Sequence, residues 1–587
     1  MTDDASAETE LQMPEEIAAT ERQPFVRLDF EDESWLYSDP REIIETRDPT
    51  RVRDCLSKLR GRRAAGFVSY EAGHSLEPKL APIASASAPG EPPLLWFGLF
   101  ERVEPAPPCP SAAGAWAGKP APSIPFEQYA GAVDDIRRAI TDGEVYQVNL
   151  TFPCAVPVMG DPCALYAQLR SRARAKWSAL IFSGEHWLIS CSPELFFTAK
   201  SGRITCRPMK GTAPPGSDPE MLRNDPKNRA ENLMIVDLMR NDLSRIAKPG
   251  TVKVPRLFEV EKYPTLLQMT STIVGDMAAG VDTVDVLEAI FPCGSITGAP
   301  KIAAMERIQK LEQAQTGERG PYTGSIGHLF ENGDAEFNVA IRTLVLKRGE
   351  KSARYDVGSA IVIDSDPRSE WQECLQKAAF IASPMNFHLL ETFAFGPAPN
   401  PLVRFHLDRL GRSALELGFA FDRNALEAEL DREKRSLQSM VRLRISLDRS
   451  GAFRIEQSKL PPTPRGKVTV SIASRSVASD DFRLHYKTSD RGFHDDARTA
   501  AGTFEILFTD EEGFLTEGSF SNLFVPNGGR LFTPPLRRSL LPGVLRQNLI
   551  EAGKAIEQDL RPADLNAGFF IGNSLRGLIP AILQRRN

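Results

Sequence analysis

The chain of 587 residues is 42% hydrophobic and 25% charged, with a net charge of -6. That length exceeds a single hydrophobic core and suggests about three to five domain-sized units. The charge excludes a basic field for nucleic acid, and no apolar run reaches the roughly 20 residues of a membrane-spanning helix. Eight cysteines are scattered without a Cys-x-x-Cys pair, so neither a zinc site nor a disulfide framework is signalled. Residues 1–22 are acidic and polar, unlike a secretory or transit signal, and read as a disordered tail of a cytoplasmic protein.

In chain order, a helical pattern at 51–59 is followed by short β-like runs at 66–70 and 94–100. Two Pro/Ala-rich stretches, 81–93 and 105–125, read as loops, because proline removes backbone donors and stiffens the chain. Residues 129–140 are amphipathic, and 145–152 alternate at period two. Helices are expected at 229–241 and 281–291, and a third opens at Gly298-Ala-Pro-Lys301, with proline where a helix start tolerates it. Strands follow at 324–330, 340–346 and 359–363, then a helix at 369–382. Near Ser383-Pro-Met385 the pattern restarts, with strands at 387–395, 441–447 and 467–473 and a helix at 407–417. The expected divisions are 1–22, 23–125, 126–383 and 384–587, packed as two halves without a long linker.

Certain residues carry chemical meaning. Lys210 lies between Pro208 and Gly211 in Arg207-Pro-Met-Lys-Gly-Thr212, on backbone more fixed than an ordinary surface loop. Glu370, Glu373 and Lys377 fall at i, i+3 and i+7, on one helix face; alone they describe a solvated face with a Glu–Lys pair. Glu231 sits near a helix start, where the dipole favours a carboxylate. Gly294-Ser-Ile-Thr-Gly-Ala-Pro-Lys301 is a glycine-rich turn that can present N–H groups to an anion. Each is weak by itself.

Taken in order, Ser192-Pro-Glu194, the Lys210 element, Ala230 to Asp242, Gly294 to Lys301 and Trp371-Gln-Glu373 resemble the chorismate-utilising enzymes. That family includes anthranilate, aminodeoxychorismate, isochorismate and salicylate synthases. The resemblance covers nearly all of 126–382. It implies Mg2+ held by Glu231 and Glu373 with Glu370 in support, a donor set of hard oxygens that suits magnesium. It implies Glu194 as the general acid for the departing C4 hydroxyl. Arg342, Lys377 and the backbone at Gly358 would anchor a chorismate carboxylate, with Gln147, Thr297 and Gly298 also lining the substrate site. Gln147 occupies the position where the hydrating members carry a lysine base, which places this chain with the ammonia-using branch. Lys210 stands where anthranilate synthases have alanine, and so points to the aminodeoxychorismate branch. There the lysine is taken to attack C2, for which it must be neutral. Gln268 replaces a histidine linked in many relatives to pyruvate elimination, and Ala360 departs from a turn that is usually glycine. No glutaminase nucleophile loop is present, so a separate glutamine amidotransferase subunit is implied as the ammonia source.

In the second half, Arg404-Phe-His-Leu-Asp-Arg-Leu410, His485-Tyr-Lys-Thr488, Thr516-Glu-Gly-Ser-Phe-Ser-Asn522 and Leu540-Leu-Pro-Gly-Val-Leu-Arg546 resemble the class IV, branched-chain-aminotransferase-like pyridoxal phosphate enzymes. That family includes aminodeoxychorismate lyase. The resemblance implies Lys487 as the cofactor-binding lysine and Glu517 as partner of the pyridine nitrogen. Arg404 would hold the phosphate, with Gly543, Val544 and Ser574 completing its cup. The opening strand pair usual in the family is cut short, and the family admits a homodimer through this half.

The expected fold is α+β. A chorismate-binding fold of antiparallel sheets flanked by helices precedes a class IV α/β domain pair. The expected function is synthesis of the folate precursor 4-aminobenzoate in two steps, since the product of one half is the substrate of the other. The rival readings are an anthranilate-forming enzyme with an appended aminotransferase, and a non-catalytic chorismate-binding subunit.

Overall fold

A computed structural model describes residues 23–262, 267–313, 316–384 and 386–584. The acidic tail at 1–22, residues 263–266 and Met385 lie outside the described residues. The chain forms two compact units. The first comprises residues through Pro108, Pro122–Cys154 and Ala173–Leu375; the second comprises Cys109–Ala121, Ala155–Arg172 and Gln376–Asn587. No helix among the described residues is long and apolar enough to cross a membrane.

The first unit is built on antiparallel strands. Glu33–Thr46 pairs with Leu95–Pro105, which pairs with Ala64–Val68, then Ser325–Leu329 and Ala335–Val339. The run continues through Leu195–Lys200 and Arg203–Arg207 to Leu267–Asp276. A second run leads from Phe25–Phe30 through Trp177–Phe182 and His186–Ser192 to Thr343–Lys347. Alternating side chains such as Val26 and Leu28, with Phe67, Trp96 and Ile326, fill the core between strands. Glu194 occupies the step between His186–Ser192 and Leu195–Lys200. The helix Pro226–Ser244, capped by Asp225 accepting from Asn228 N at 2.7 Å, packs on Met209–Ala213 and Leu267–Asp276.

One buried ion pair ties this unit together. Arg319 donates from Nε and Nη2 to Glu312, both at 2.7 Å, and Glu312 also accepts from Thr151 N and Oγ1. Both charged side chains are almost wholly out of water. Removing one leaves the other buried and uncompensated, so Glu312→Ala should destabilise the first unit by about 3–5 kcal/mol. Urea unfolding followed by tryptophan fluorescence checks this, and an unchanged midpoint would contradict it.

The second unit carries two sheets. Leu389–Phe395, Val441–Leu447 and Phe453–Lys459 form an antiparallel trio, with the helix Val403–Leu417 against its first strand. The other sheet is mixed. Val468–Ser474 runs parallel to both Glu505–Thr509 and Gly577–Leu583, and the pairing of Glu517 with Asn522 closes the order on itself. The α+β class expected from the sequence is the one observed.

Some elements differ from the sequence expectation. The strand expected at 340–346 begins at Thr343, because Arg342 takes a positive φ of 53° and breaks the run. Ala335–Val339 is a strand the reading missed; it buries the polar Asn338, whose amide bonds Ile326 N and Trp177 O. The helix Arg423–Ser436 was also missed, since it buries just Leu426 and Leu430 amid a run of charges.

Candidate active sites

Lys210 lies on the strand Met209–Ala213, where the register against Leu267–Asp276 shifts between Met209 and Thr212. Gly211 permits that bulge. Its φ is +88°, and a Cβ there would lie 3.0 Å from Asn228. The Gln268 amide donates to Gly211 O at 2.9 Å and braces the turn from the neighbouring strand. The Lys210 side chain is half-buried, and its charge acts on both Glu194 and Glu231.

Glu194 is buried, and Oε1 meets no donor among the described residues. Burial pushes its carboxyl up to about 7, against a hydrogen bond from Ser295, the Lys210 charge and the Met209 N–H. Ser295 brings the Gly294 turn to this acid, a contact the sequence reading did not single out. Lys301, in the same motif, is spent elsewhere: it bonds Asp242 at 2.5 Å and Ile290 O at 2.8 Å.

Glu231 points the same way electrostatically. Burial raises its carboxyl; Lys210 and Lys227 oppose the rise, while Glu370 and Glu373 add to it. Glu370 accepts from Ser365 Oγ at 2.8 Å, and Glu373 is exposed. Three carboxylates therefore share one field. Among the described residues no three such side chains converge tightly enough to cage an ion unaided. Hard-oxygen donors in so loose a set fit a cation that keeps several waters and completes its shell with substrate, as magnesium does.

Gln147 is fully buried, and neither amide atom has a partner among the described residues. It pairs with Ala299 across a two-residue strand whose Gly298 approaches so closely that a Cβ would lie 2.2 Å from Gln147 O. Thr297 precedes that glycine, with its hydroxyl turned to Cys293 O and Gly294 O. Gly358 is packed on Leu150 O and Thr151, leaving no room for a side chain. Arg342 acts on the Tyr355 phenol, whereas Lys377 is exposed in the last turn of the helix Pro367–Ala379.

The second unit holds a cavity of about 450 Å³ lined by Lys487, Glu517, Gly543, Val544 and Ser574. The Lys487 carbonyl accepts from Leu390 N at 2.8 Å, and burial lowers its amine to about 7; Glu391 opposes that fall, while Arg409, Arg491 and Arg444 reinforce it. Glu517 is buried, accepts from Leu541 N at 3.1 Å and is pushed up to about 8, chiefly by burial. Gly543 opens the helix Val544–Glu551; a Cβ there would fall 1.7 Å from Asn522 Oδ1. Ser574 Oγ lies 2.8 Å from His406 Nε2. A lysine near neutrality, a buried carboxyl awaiting a cationic nitrogen, and a close backbone approach at a helix start fit pyridoxal phosphate.

Arg404 requires a correction. It lies on the exposed side of its helix with its guanidinium over the Phe405 ring, and it does not line the cavity. Arg409, five residues on, does line it. It is buried and bonds both oxygens of Glu391 at 2.8 and 2.7 Å and Pro542 O at 3.0 Å. Burial opposes the charge on Glu391, but Arg409 and His406 hold its carboxyl far below the usual range.

The sequence matches the chorismate binding enzyme family over residues 5–383 and the class IV aminotransferase family over residues 388–582. Aminodeoxychorismate synthase component 1 of Klebsiella aerogenes is 42% identical over 258 residues, 43% of this chain and 56% of that protein. The 2-amino-4-deoxychorismate synthase of Streptomyces globisporus is 39% identical over 295 residues, 49% of this chain and 59% of that one. The chain thus spans little more than half the length of these curated relatives. Among solved structures, anthranilate synthase component I from Streptococcus pneumoniae aligns with a TM-score of 0.51 and 26% identity, over 64% of this chain and 95% of that one.

Proposed function

We propose, because the chain belongs to the chorismate binding enzyme family, that its first unit aminates chorismate at C4 and its second unit releases pyruvate to give 4-aminobenzoate. The relatives' names include aminations at different ring positions, so similarity alone does not choose between them. Lys210 carries the choice. Its charge reaches both the buried acid Glu194 and the carboxylate Glu231, where a nucleophile would meet substrate.

In this reading the Lys210 amine bonds to C2 as the ring double bonds shift and the C4 hydroxyl leaves with a proton from Glu194. Ammonia then bonds to C4, and the lysine departs from C2. Ammonia would come from a separate glutamine amidotransferase subunit. Glu231, Glu370 and Glu373 would hold magnesium, which when bound supplies positive charge against a substrate carboxylate. Gln147, with both amide atoms unspent, would orient substrate beside Thr297 and Gly298.

The acid must be protonated to act, and burial keeps Glu194 so up to about pH 7. The kcat of amination should therefore fall as pH rises through about 7. Glu194→Gln should remove that limb together with about 10²–10⁴ of the rate. A pH–rate profile checks both, and a flat profile would contradict the assignment. The same raised value lowers native-state stability progressively as pH rises from 4.5 to about 7, because the unfolded carboxyl releases its proton first, and the loss persists at higher pH.

In the second unit Lys487 would bind pyridoxal phosphate, Glu517 would pair with the ring nitrogen, and Gly543, Val544 and Ser574 would cup the phosphate with Arg409 in place of Arg404. When bound, the cofactor supplies an electron sink for the pair left at C4. The Lys487 amine, held near neutrality, moves the C4 proton. The test supplies aminodeoxychorismate to the cofactor-loaded chain without a keto acid. Equal amounts of 4-aminobenzoate and pyruvate are expected; amino transfer that requires a keto acid would make this unit a transaminase instead.

A further inference from the structure

We propose that Arg442, Arg498 and Arg576 in the Lys487 cavity, the last two beside the Phe520 ring, bind substrate carboxylates and make this site selective for a dicarboxylate. The proposal rests on the reading of the second unit as the pyruvate-releasing half, and names the residues that would set its specificity.

The cavity wall is rich in arginine, but the arginines are not equivalent. Arg409 is paired with Glu391 and assigned above to the cofactor phosphate, Arg483 is paired with Asp481 and Asp490, and Arg491 with Ser519 O and Asp495. Arg442, Arg498 and Arg576 line the same cavity and have no carboxylate partner among the described residues. They come from three separate elements: the strand Val441–Leu447, the helix Gly492–Ala501 and the turn after Phe569–Asn573. Their charges nonetheless meet. Burial lowers Arg576, Arg442 lowers it further, and Arg498 does the same against the opposing influence of Glu505.

Each part is held in place. Asn573 Oδ1 accepts from Leu575 N and Arg576 N, both at 3.0 Å, which fixes the turn carrying Arg576. Phe520 sits in a loop stapled by the buried Glu505, which accepts from Ser519 Oγ at 2.5 Å, Ser521 Oγ at 2.6 Å and Phe520 N at 3.2 Å. The Arg498 and Arg576 guanidiniums each lie 5.4 Å from that ring. Glu505 is thus hydrogen-bonded into the loop and, though its charge acts on Arg576, it forms no ion pair with the three cations among the described residues. Like charges gathered without counter-ions in a cavity are stabilised by a bound anion. An aromatic ring among them offers a face to a flat, unsaturated substrate. A branched-chain amino acid, with one carboxylate and an apolar side chain, would leave such a wall unpaired.

The test uses the full chain loaded with pyridoxal phosphate and follows the cofactor's visible absorbance as isophthalate or benzoate is added. Isophthalate should bind at least about tenfold more tightly than benzoate. That preference should shrink to about twofold in Arg442→Met and in Arg576→Met and return in Arg576→Lys, with cofactor affinity unchanged. A preference that survives all the methionine variants would overturn the proposal. So would a parallel fall in cofactor affinity, which would assign the arginines to the phosphate. If the dicarboxylate preference behaves as expected while aminodeoxychorismate yields no pyruvate, the anion site stands and the reading of the reaction fails.

Discussion

Lys487→Ala is expected to slow 4-aminobenzoate release from aminodeoxychorismate by about 10³-fold or more, while chorismate amination continues and aminodeoxychorismate accumulates. The size follows from the number of roles one amine would fill. It would tether the cofactor and then move the C4 proton, and burial has brought it to about 7, where it can do both near neutral pH. Its backbone is held independently, through the Leu390 N–H and the bridge from Leu389 to Thr488, so truncating the side chain should leave the fold intact. Chromatography of the products, with the visible band of the cofactor-loaded chain as a second readout, checks the expectation. Undiminished 4-aminobenzoate release by the variant would remove Lys487 from the mechanism.

The second large effect is at Lys210. Lys210→Ala restores the residue expected of anthranilate synthases and removes the proposed attacking amine. Amination of chorismate should fall by about 10³-fold or more, with aminodeoxychorismate supplied from outside still converted at the full rate. The neighbourhood should survive, because Gly211, Asn228 and Gln268 fix the bulge without the lysine side chain. Ammonia-dependent production of 4-aminobenzoate at an unchanged rate would mean that Lys210 does no more than balance Glu194 and Glu231.

The two halves were not equally legible in the sequence. In the first, short motifs such as Ser192-Pro-Glu194 and Gly294 to Lys301 are local, and folding brings Glu194, Ser295, Lys210 and Glu231 into one field. Ser295 escaped notice because its role depends on Glu194, a hundred residues upstream. The Arg404 assignment failed for a reason visible in the helix itself. The buried face of Val403–Leu417 runs through Phe405, His406, Arg409, Leu410, Ser413 and Leu417, and position 404 falls off that stripe. The sequence reading did not consider Arg409, whose burial is permitted by its partner Glu391 on another element. Strand Ala335–Val339 and helix Arg423–Ser436 were missed for a related reason: a buried asparagine and a helix rich in charge with two buried leucines are both settled by tertiary partners rather than by period.

In the proposed reaction sequence one chain carries chorismate to a para-aminated aromatic ring. The most direct measurement incubates the purified, pyridoxal phosphate-loaded chain with chorismate, Mg2+ and an ammonium salt and identifies the aromatic product by mass and chromatography. 4-Aminobenzoate is the expected product, preceded by a transient of aminodeoxychorismate. Anthranilate as the product would contradict it.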